Sequence, residues 1–297
     1  MNLKALPDAP KATPPQNVFL EPKQGTGGFP MIRVCLAGAT GAVGRALVPA
    51  IQESKDMSLV GAVSRSQKGR NLGDALGVPR LPLAIAGSVE DALRNRTDVM
   101  VDFTSPKAVK SNTLTAISKR VHVVIGTSGL TEDDHDEIDK AAKRMKVGVL
   151  AGGNFAVSAV LLQHFAITAA KAMPSWEIIE YASERKPDAP SGTARELAHS
   201  LSKVKPSKVM IPIAKTMGMK ESRGASVLGT QVHSVRLPGF ASRVEVIFGD
   251  AGQRLVIAHE GSDDQRLYVE GVLMGVRKVP SWIGLKRGLW DIMGLEP

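Results

Sequence analysis

The run Ile32-Arg33-Val34-Cys35-Leu36-Ala37-Gly38-Ala39-Thr40-Gly41-Ala42-Val43-Gly44 decides how this chain folds. A short apolar segment ends in a glycine trio at Gly38, Gly41 and Gly44, and a helical pattern over Ala42–Gln52 begins inside the loop. Between a strand and a helix each glycine has a physical task. Gly38 allows the tight turn, Gly41 lets the backbone approach a pyrophosphate, and Gly44 lets the helix pack closely on the strand. Backbone N–H groups at a helix start are unpaired and lie at the positive end of the dipole, so they receive anions. The residues Gly38, Ala39, Thr40, Gly41, Ala42, Val43 and Gly44 are therefore read as a cofactor-binding loop.

Working outward, the alternation repeats. Strands are expected at Ile32–Ala37, Leu59–Ser64, Val99–Phe103, His122–Gly126 and Val147–Leu150, with helices near Ala42–Gln52, Pro106–Lys119 and Glu132–Arg144. Such alternation means βαβ units and a parallel sheet covered on both faces, which is why the strands are continuous apolar runs. Right-handed crossovers then give an open, doubly wound α/β sheet. Past Asn154 the texture changes to a helix over Ala156–Ala172, a strand over Trp176–Ala182, a helix after Pro190, and long strands over Val227–Phe248 and Arg254–His259. That mix predicts a second, α+β domain with a mostly antiparallel sheet. The helical stretch Gln265–Arg277 returns to the first.

The expected organisation is a Rossmann-like dinucleotide-binding domain over 31–155 plus about 262–297, and a substrate-binding and oligomerisation domain over 156–261. Residues 1–30 hold six prolines and little apolar periodicity, without a secretory apolar core or a transit-peptide composition, and are expected as a disordered extension or a misplaced start ahead of Met31.

Bulk properties narrow the function. The 297 residues carry a formal charge of +9, but the basic residues are scattered among only twelve aromatics (three Trp, two Tyr, seven Phe), with no nucleic-acid motif. An electropositive cleft for a phosphorylated cofactor or a dicarboxylate explains the charge more economically, and no apolar run of about 18 residues is long enough to span a membrane. The single cysteine, Cys35, cannot form an internal disulfide, which suits a cytoplasmic setting and a small core residue. No metal-ligand spacing is present, so no metal is expected.

The cofactor type is read at the end of the second strand, Val63-Ser64-Arg65-Ser66-Gln67-Lys68-Gly69-Arg70, where no carboxylate occurs until Asp74. An NAD site places an acidic residue here, whereas an NADP site places an arginine. Ser64 and Arg65, with Lys68 or Arg70 as further candidates, are expected to cradle a 2′-phosphate. NADPH is the expected cofactor and NADH the alternative. Two further strand ends reach the same crevice: Asp102–Pro106, with Phe103 and Thr104, and Gly126–Leu130, with Gly126, Thr127 and Ser128. Ligands of open α/β sheets sit beyond the carboxyl ends of the strands, so these backbones are placed to meet ribose and nicotinamide.

The second domain carries Lys186-Pro187-Asp188-Ala189-Pro190-Ser191-Gly192-Thr193-Ala194. A lysine precedes a Pro-rich turn that opens a helix at Ser191, Gly192 and Thr193, a seat for a small carboxylate. The plainer alternative is a serine cap beside a solvated lysine.

Taken in order, Gly38–Gly44, Asp102–Pro106, Gly126–Leu130, Gly153-Asn154-Phe155, Glu180–Ala194 and Gly229–Gly239 resemble the dihydrodipicolinate (4-hydroxy-tetrahydrodipicolinate) reductase family of lysine and diaminopimelate biosynthesis. The resemblance implies hydride transfer from NAD(P)H to a cyclic, unsaturated dicarboxylate, a hinge between two domains, and a homotetramer. It puts Lys186 on the family's proton donor and Gly192 and Thr193 on its substrate-carboxylate contacts. Gly126, Thr127 and Ser128 fall on its nicotinamide-proximal loop, and Gly153, Asn154 and Phe155 on the crossover between domains.

The family's usual Glu-x-His-His is absent. Here the chain reads Glu180-Tyr181-Ala182-Ser183, and Ala182 and Ser183 occupy the histidine places. Ala182 offers no polar group. Ser183 can hydrogen-bond but does not titrate near neutrality. Two alternatives therefore stand beside the lysine-pathway reductase. One is a paralogue reducing another cyclic imine or enamine, and the other is a catalytically silent NADPH-binding regulatory protein.

Overall fold

The first strand, β1 (Ile32–Ala37), passes through Gly38 directly into α1 (Ala42–Glu53). In this computed structural model residues 31–295 are described, and the expected extension over residues 1–30 lies outside the described residues. The chain continues through β2 (Met57–Val63), α2 (Leu72–Leu76), β3 (Ile85–Ala86), α3 (Val89–Ala92), β4 (Val99–Asp102), α4 (Val109–Ser118), β5 (His122–Ile125), α5 (Glu132–Met145) and β6 (Gly148–Ala151). It then builds α6 (Val157–Ala172), β7 (Ser175–Ala182), α7 (Gly192–Ser202), β8 (Ala225–Val227), β9 (Thr230–Arg236), β10 (Ser242–Asp250) and β11 (Gln253–Gly261). It closes with α8 (Val269–Lys278), β12 (Gly284–Arg287) and α9 (Trp290–Met293).

Seven strands form one wholly parallel sheet in the order β12-β6-β5-β4-β1-β2-β3. Apolar side chains fill both faces, as parallel pairing requires. Leu36, Leu47, Ile51 and Leu150 pack on one side, and Cys35, Met100, Ile125 and Ile138 on the other. Each such side chain stabilises the fold by roughly 2 kcal/mol relative to exposure. Burial also pushes the Cys35 thiol up to about 12, helped by the nearby Asp102 charge, so it is an inert core group. Strand order reverses between β1 and β4, the switch point where a crevice opens at the carboxyl ends.

The second sheet has the order β11-β10-β7-β9-β8. Its pairings are antiparallel except β7 with β9, so it is mixed. One face is covered by α6 and α7 through Leu162, Ala166, Leu197 and Leu201 against Trp176, Ile178 and Phe248. The stretch Val227–Phe248, expected as longer strands joined by glycine turns, holds the end of β8, all of β9 and most of β10. Leu228 and Gly229 both take positive φ (49° and 83°) to turn β8 into β9, and Pro238-Gly239 (Gly239 φ 86°) ends β9 where proline has no N–H to donate. The sequence patterns did not signal β12, because Gly284-Leu285-Lys286-Arg287 is a half-polar edge strand rather than an apolar run.

Gly44 shows how strictly the opening turn is built. A Cβ there would lie 2.3 Å from the Gly38 carbonyl oxygen, whereas one on Gly192 would meet nothing within 4 Å. Gly44→Ala is expected to lower stability by about 1–3 kcal/mol. Gly192→Ala should stay within about 0.5 kcal/mol of the parent. Thermal unfolding of the two variants side by side checks the contrast, and equal midpoints would contradict it.

Candidate active site

Phe103 joins the nucleotide-loop residues. Its carbonyl oxygen would lie 2.1 Å from a Cβ on Gly38, and its ring 2.1 Å from a Cβ on Gly126, so both positions need glycine for this approach. The ring also meets Phe155 edge-on at 5.9 Å. Gly38, Phe103, Gly126 and Phe155, singled out separately in sequence, are thus one packed unit at the strand ends. Gly38 takes φ 87°, a conformation glycine adopts without strain.

The residues at the loop suit an anionic nucleotide. Gly41 caps α1 without a side-chain bond, and the first turn, which includes Ala42, Val43 and Gly44, holds no acidic residue. The Thr40 hydroxyl bonds the Ser64 hydroxyl at 2.7 Å, which ties the loop to the end of β2. The Ala39 and Gly38 N–H groups donate to the Val63 carbonyl. Arg45 donates from Nε to the Thr40 carbonyl at 3.1 Å, a basic residue of α1 that sequence spacing did not single out. Arg65 is exposed. Thr40, Ser64, Arg45 and Arg65 therefore offer hydroxyl and cationic donors around open backbone N–H groups, a donor set matched to phosphate oxygens.

A cleft of about 940 Å³ lies at the ends of β5, β6 and β12, between Thr127–Leu130, the Gly152–Asn154 crossover, α6, α7 and Arg287–Trp290, and the glycine loop does not line it. It brings together Thr127, Ser128, Gly153 and Asn154. The Asn154 side chain accepts from the Ala156 N–H at 2.8 Å and so fixes the entry to α6. Glu196 also lies in the cleft, its carboxyl oxygens 3.4–3.5 Å from where a Gly153 Cβ would sit. Burial raises its pKa above the ordinary glutamate range, while His199 one turn on pulls the other way. Nothing in the local sequence marked Glu196.

Lys186, Ser183, Ser191, Gly192 and Thr193 are not in that cleft wall. Ser191, Gly192 and Thr193 open α7, one helical turn before Glu196, and Ser183 and Lys186 lie in the turn that joins β7 to it. Ser191 caps the helix by accepting from the Ala194 N–H at 3.2 Å. Its own N–H donates to Glu180 at 2.9 Å. Glu180 is 1 % exposed and takes two more donors on the same oxygen, the Ser234 hydroxyl at 2.6 Å and Arg236 Nη2 at 2.8 Å. Arg236 also donates to the Asp188 carbonyl at 2.6 Å, so it braces the turn between Lys186 and the helix mouth and is not turned toward a ligand.

Lys186 Nζ pairs with Asp188 at 2.8 Å, both side chains being well exposed, so the pair contributes little stability and opens easily. Ser183 accepts weakly from the Arg185 N–H at 3.3 Å. Ala182 is buried at 4 % exposure. His233 bonds Glu177 at 2.8 Å, beside Arg223. By strand alternation it stands on the opposite sheet face from Ser234. His122 accepts the Gly148 N–H at 2.8 Å and is structural, whereas His164 lines the cleft.

Burial alone would raise the Glu180 pKa, but bonds from Ser191, Ser234 and Arg236 outweigh it and hold the carboxyl below the usual range. Its stabilisation is therefore present above an unfolded glutamate's pKa of about 4.3 and is lost as pH falls through the lower, folded value. Glu180→Gln is expected to cost about 2 kcal/mol at pH 7, since it leaves the half-buried Arg236 without its counter-charge. The gap should shrink below about pH 4. Denaturant unfolding across pH checks both, and a gap that does not change with pH would contradict the assignment.

A doubly wound sheet with a glycine loop at its switch point, joined to a second, mixed sheet, is the architecture of a nicotinamide-nucleotide-dependent oxidoreductase. Family models described as dihydrodipicolinate reductase, N-terminus, and dihydrodipicolinate reductase, C-terminus, match residues 32–155 and 158–293. The chain belongs to the dihydrodipicolinate reductase family. It is 42% identical over 264 residues to the 4-hydroxy-tetrahydrodipicolinate reductase of Desulfitobacterium hafniense, covering 88% of this chain and 98% of that one. A dipicolinate-bound dihydrodipicolinate reductase from Paenisporosarcina sp. TG-14 superposes with a TM-score of 0.80 at 31% identity, covering 88% and 99% of the two chains. An amine dehydrogenase from Mycobacterium smegmatis shares the fold alone, with a TM-score of 0.62 at 15% identity over 86% and 94% of the two chains.

Proposed function

We propose that this chain reduces 4-hydroxy-tetrahydrodipicolinate with NADPH in lysine and diaminopimelate biosynthesis. The observation that carries the proposal is the α7 mouth, where buried Glu180 and half-buried Arg236 brace Ser191, Gly192 and Thr193 one helical turn from the cleft lined by Thr127, Ser128, Gly153 and Asn154. The N–H groups of that mouth take one substrate carboxylate. Thr127, Ser128, Gly153 and Asn154 hold the nicotinamide end of the cofactor, and Gly38–Gly44 with Ser64 and Arg65 hold the phosphate end. The nicotinamide supplies a hydride when bound. Lys186 supplies the proton from Nζ as its pair with Asp188 opens, and its charge balances the substrate's second carboxylate.

The nucleotide domain in this reading spans 31–155 plus 262–297, and the substrate domain 156–261. Leu255 and Val256 on the outer strand β11 are 41% and 47% exposed, which supports assembly as a tetramer through the second sheet. Among the described residues no helix is long and apolar enough to cross a membrane. With the lone buried thiol, this supports a cytoplasmic enzyme.

One observation favours a second reading. Ala182 is buried and Ser183 lies in the turn where the family has a histidine pair, so no imidazole assists Lys186 there. A paralogue acting on another cyclic imine would need none at that place.

Arg65→Ala is expected to weaken NADPH binding about tenfold while leaving NADH binding unchanged. Equal affinity of the parent protein for the two nucleotides would overturn the preference. Lys186→Ala should lower turnover by about 10²–10⁴-fold with NADPH affinity retained. The assay follows NADPH oxidation with substrate formed in situ from pyruvate and aspartate semialdehyde, and undiminished turnover would place the proton donor elsewhere. No turnover by the parent protein, despite NADPH binding, would favour the second reading.

A further inference from the structure

Asp102, the last residue of β4, is fully buried. None of the ion pairs among the described residues uses it. A buried carboxylate without a counter-charge persists only where hydrogen bonds replace its water. Here they do. One oxygen, Oδ1, accepts from the Thr104 N–H at 3.1 Å, the Thr104 hydroxyl at 2.8 Å and the Thr127 hydroxyl at 2.7 Å. The other accepts from the Asn112 amide at 2.8 Å. Donors from the loop after β4, the loop after β5 and α4 thus converge on one group.

The consequence lies at Thr127. Its hydroxyl proton is given to Asp102, and one lone pair accepts the Thr104 N–H at 2.7 Å, the shorter arm of a bond which that N–H shares with Asp102. A hydroxyl has one proton and two acceptor sites. What remains for the cleft that Thr127 lines is a single lone pair, an acceptor and nothing else.

We propose that Asp102 is a positioning residue that fixes Thr127 as an acceptor facing the cleft, so that the site selects a cofactor ring carrying an amide N–H there and discriminates against a carboxylate. The inference rests on the nicotinamide end of the cofactor lying at Thr127. A nicotinamide ring bears a carboxamide, whose N–H₂ satisfies the lone pair. The carboxylate of a nicotinic acid ring puts a second acceptor against it, leaving both without a proton and adding charge repulsion. A freely rotating hydroxyl would serve either ring by turning its proton outward. Asp102 removes that freedom.

Binding, without turnover, tests this. Isothermal titration of the full-length chain with NADP⁺ and with nicotinic acid adenine dinucleotide phosphate should show the first binding at least about tenfold more tightly. Thr127→Val removes the lone pair, and Asp102→Leu releases the hydroxyl. Each should bring the two affinities within about threefold. Asp102→Asn keeps an acceptor at Oδ1, and a turned Asn112 amide accepts its new N–H₂. It should therefore retain most of the parent's discrimination.

Should Asp102→Leu fail to fold, Thr127→Val carries the test alone, because it alters only the hydroxyl. Equal affinities in the parent would overturn the proposal, as would undiminished discrimination in Thr127→Val. A lower melting temperature in Asp102→Leu with the affinity ratio intact would reduce Asp102 to a structural role and overturn it too. Binding of neither nucleotide would overturn the cofactor reading instead, so the two failures are distinguishable.

Discussion

Close backbone approach around Phe103 is the constraint on which the nucleotide half depends. Its carbonyl occupies the space a side chain on Gly38 would need, its ring occupies that of Gly126, and its edge meets Phe155 at the crossover. Phe155 in turn presses its carbonyl on Gly271 of α8, where a Cβ would lie 2.1 Å away. A chain of glycine contacts therefore runs from the loop after β1 through β4 and β5 to the helix that returns from the second sheet. Interiors packed this tightly have discrete arrangements, not a continuum, so the loops at the strand ends have little freedom to drift. That rigidity is what a binding loop needs if its open N–H groups are to stay aimed at a ligand.

On this frame each sheet sets one buried carboxylate at the edge of its loops. Asp102 and Glu180 both end up almost without solvent exposure, and in each a single oxygen takes three donors. The cost of desolvating a carboxylate is offset only if its bonds are complete, so such groups enforce the positions of their donors. Their partners differ in kind. Glu180 has a guanidinium, Arg236, and organises a seat for an anion. Asp102 has only neutral donors and organises hydroxyls. The contrast follows from the ligand ends they serve in the proposed reading, a carboxylate at α7 and a neutral ring at the β5 loop.

Much of this was legible in the sequence, and the reasons are local. β1, β5 and α5 sit within a residue or two of their expected limits because apolar runs, helical periodicity and the Gly38 turn are local signals. The glycine loop was legible because its spacing directly encodes φ and contact distance. What escaped were features made by pairing at long range. The parallel β7–β9 pair has no signature in either strand, and β12 reads as polar because an edge strand buries only one side. Glu196 entered the cleft, and Arg236 turned inward to Glu180, through tertiary packing that neither residue's neighbours announce. The face that His233 takes depends likewise on long-range pairing, the register of β9 against β7.

The missing histidine pair can be set against this geometry. Ala182 and Ser183 put no titratable group at the end of β7, but the proposed anion seat does not depend on one, because it is built from Glu180, Arg236 and the α7 backbone. In the proposed reading binding and proton transfer are thus carried by separable parts of the loop. Lys186 pairs only with the exposed Asp188 and has the mobility that reading asks of a proton donor, while the capped helix mouth has the rigidity it asks of a carboxylate seat. On the proposed reading, a chain that lacks imidazoles here keeps the groups that hold a dicarboxylate. On that reading the substitutions bear on how fast, and on which ring, the lysine acts, and not on whether an anionic ring is held.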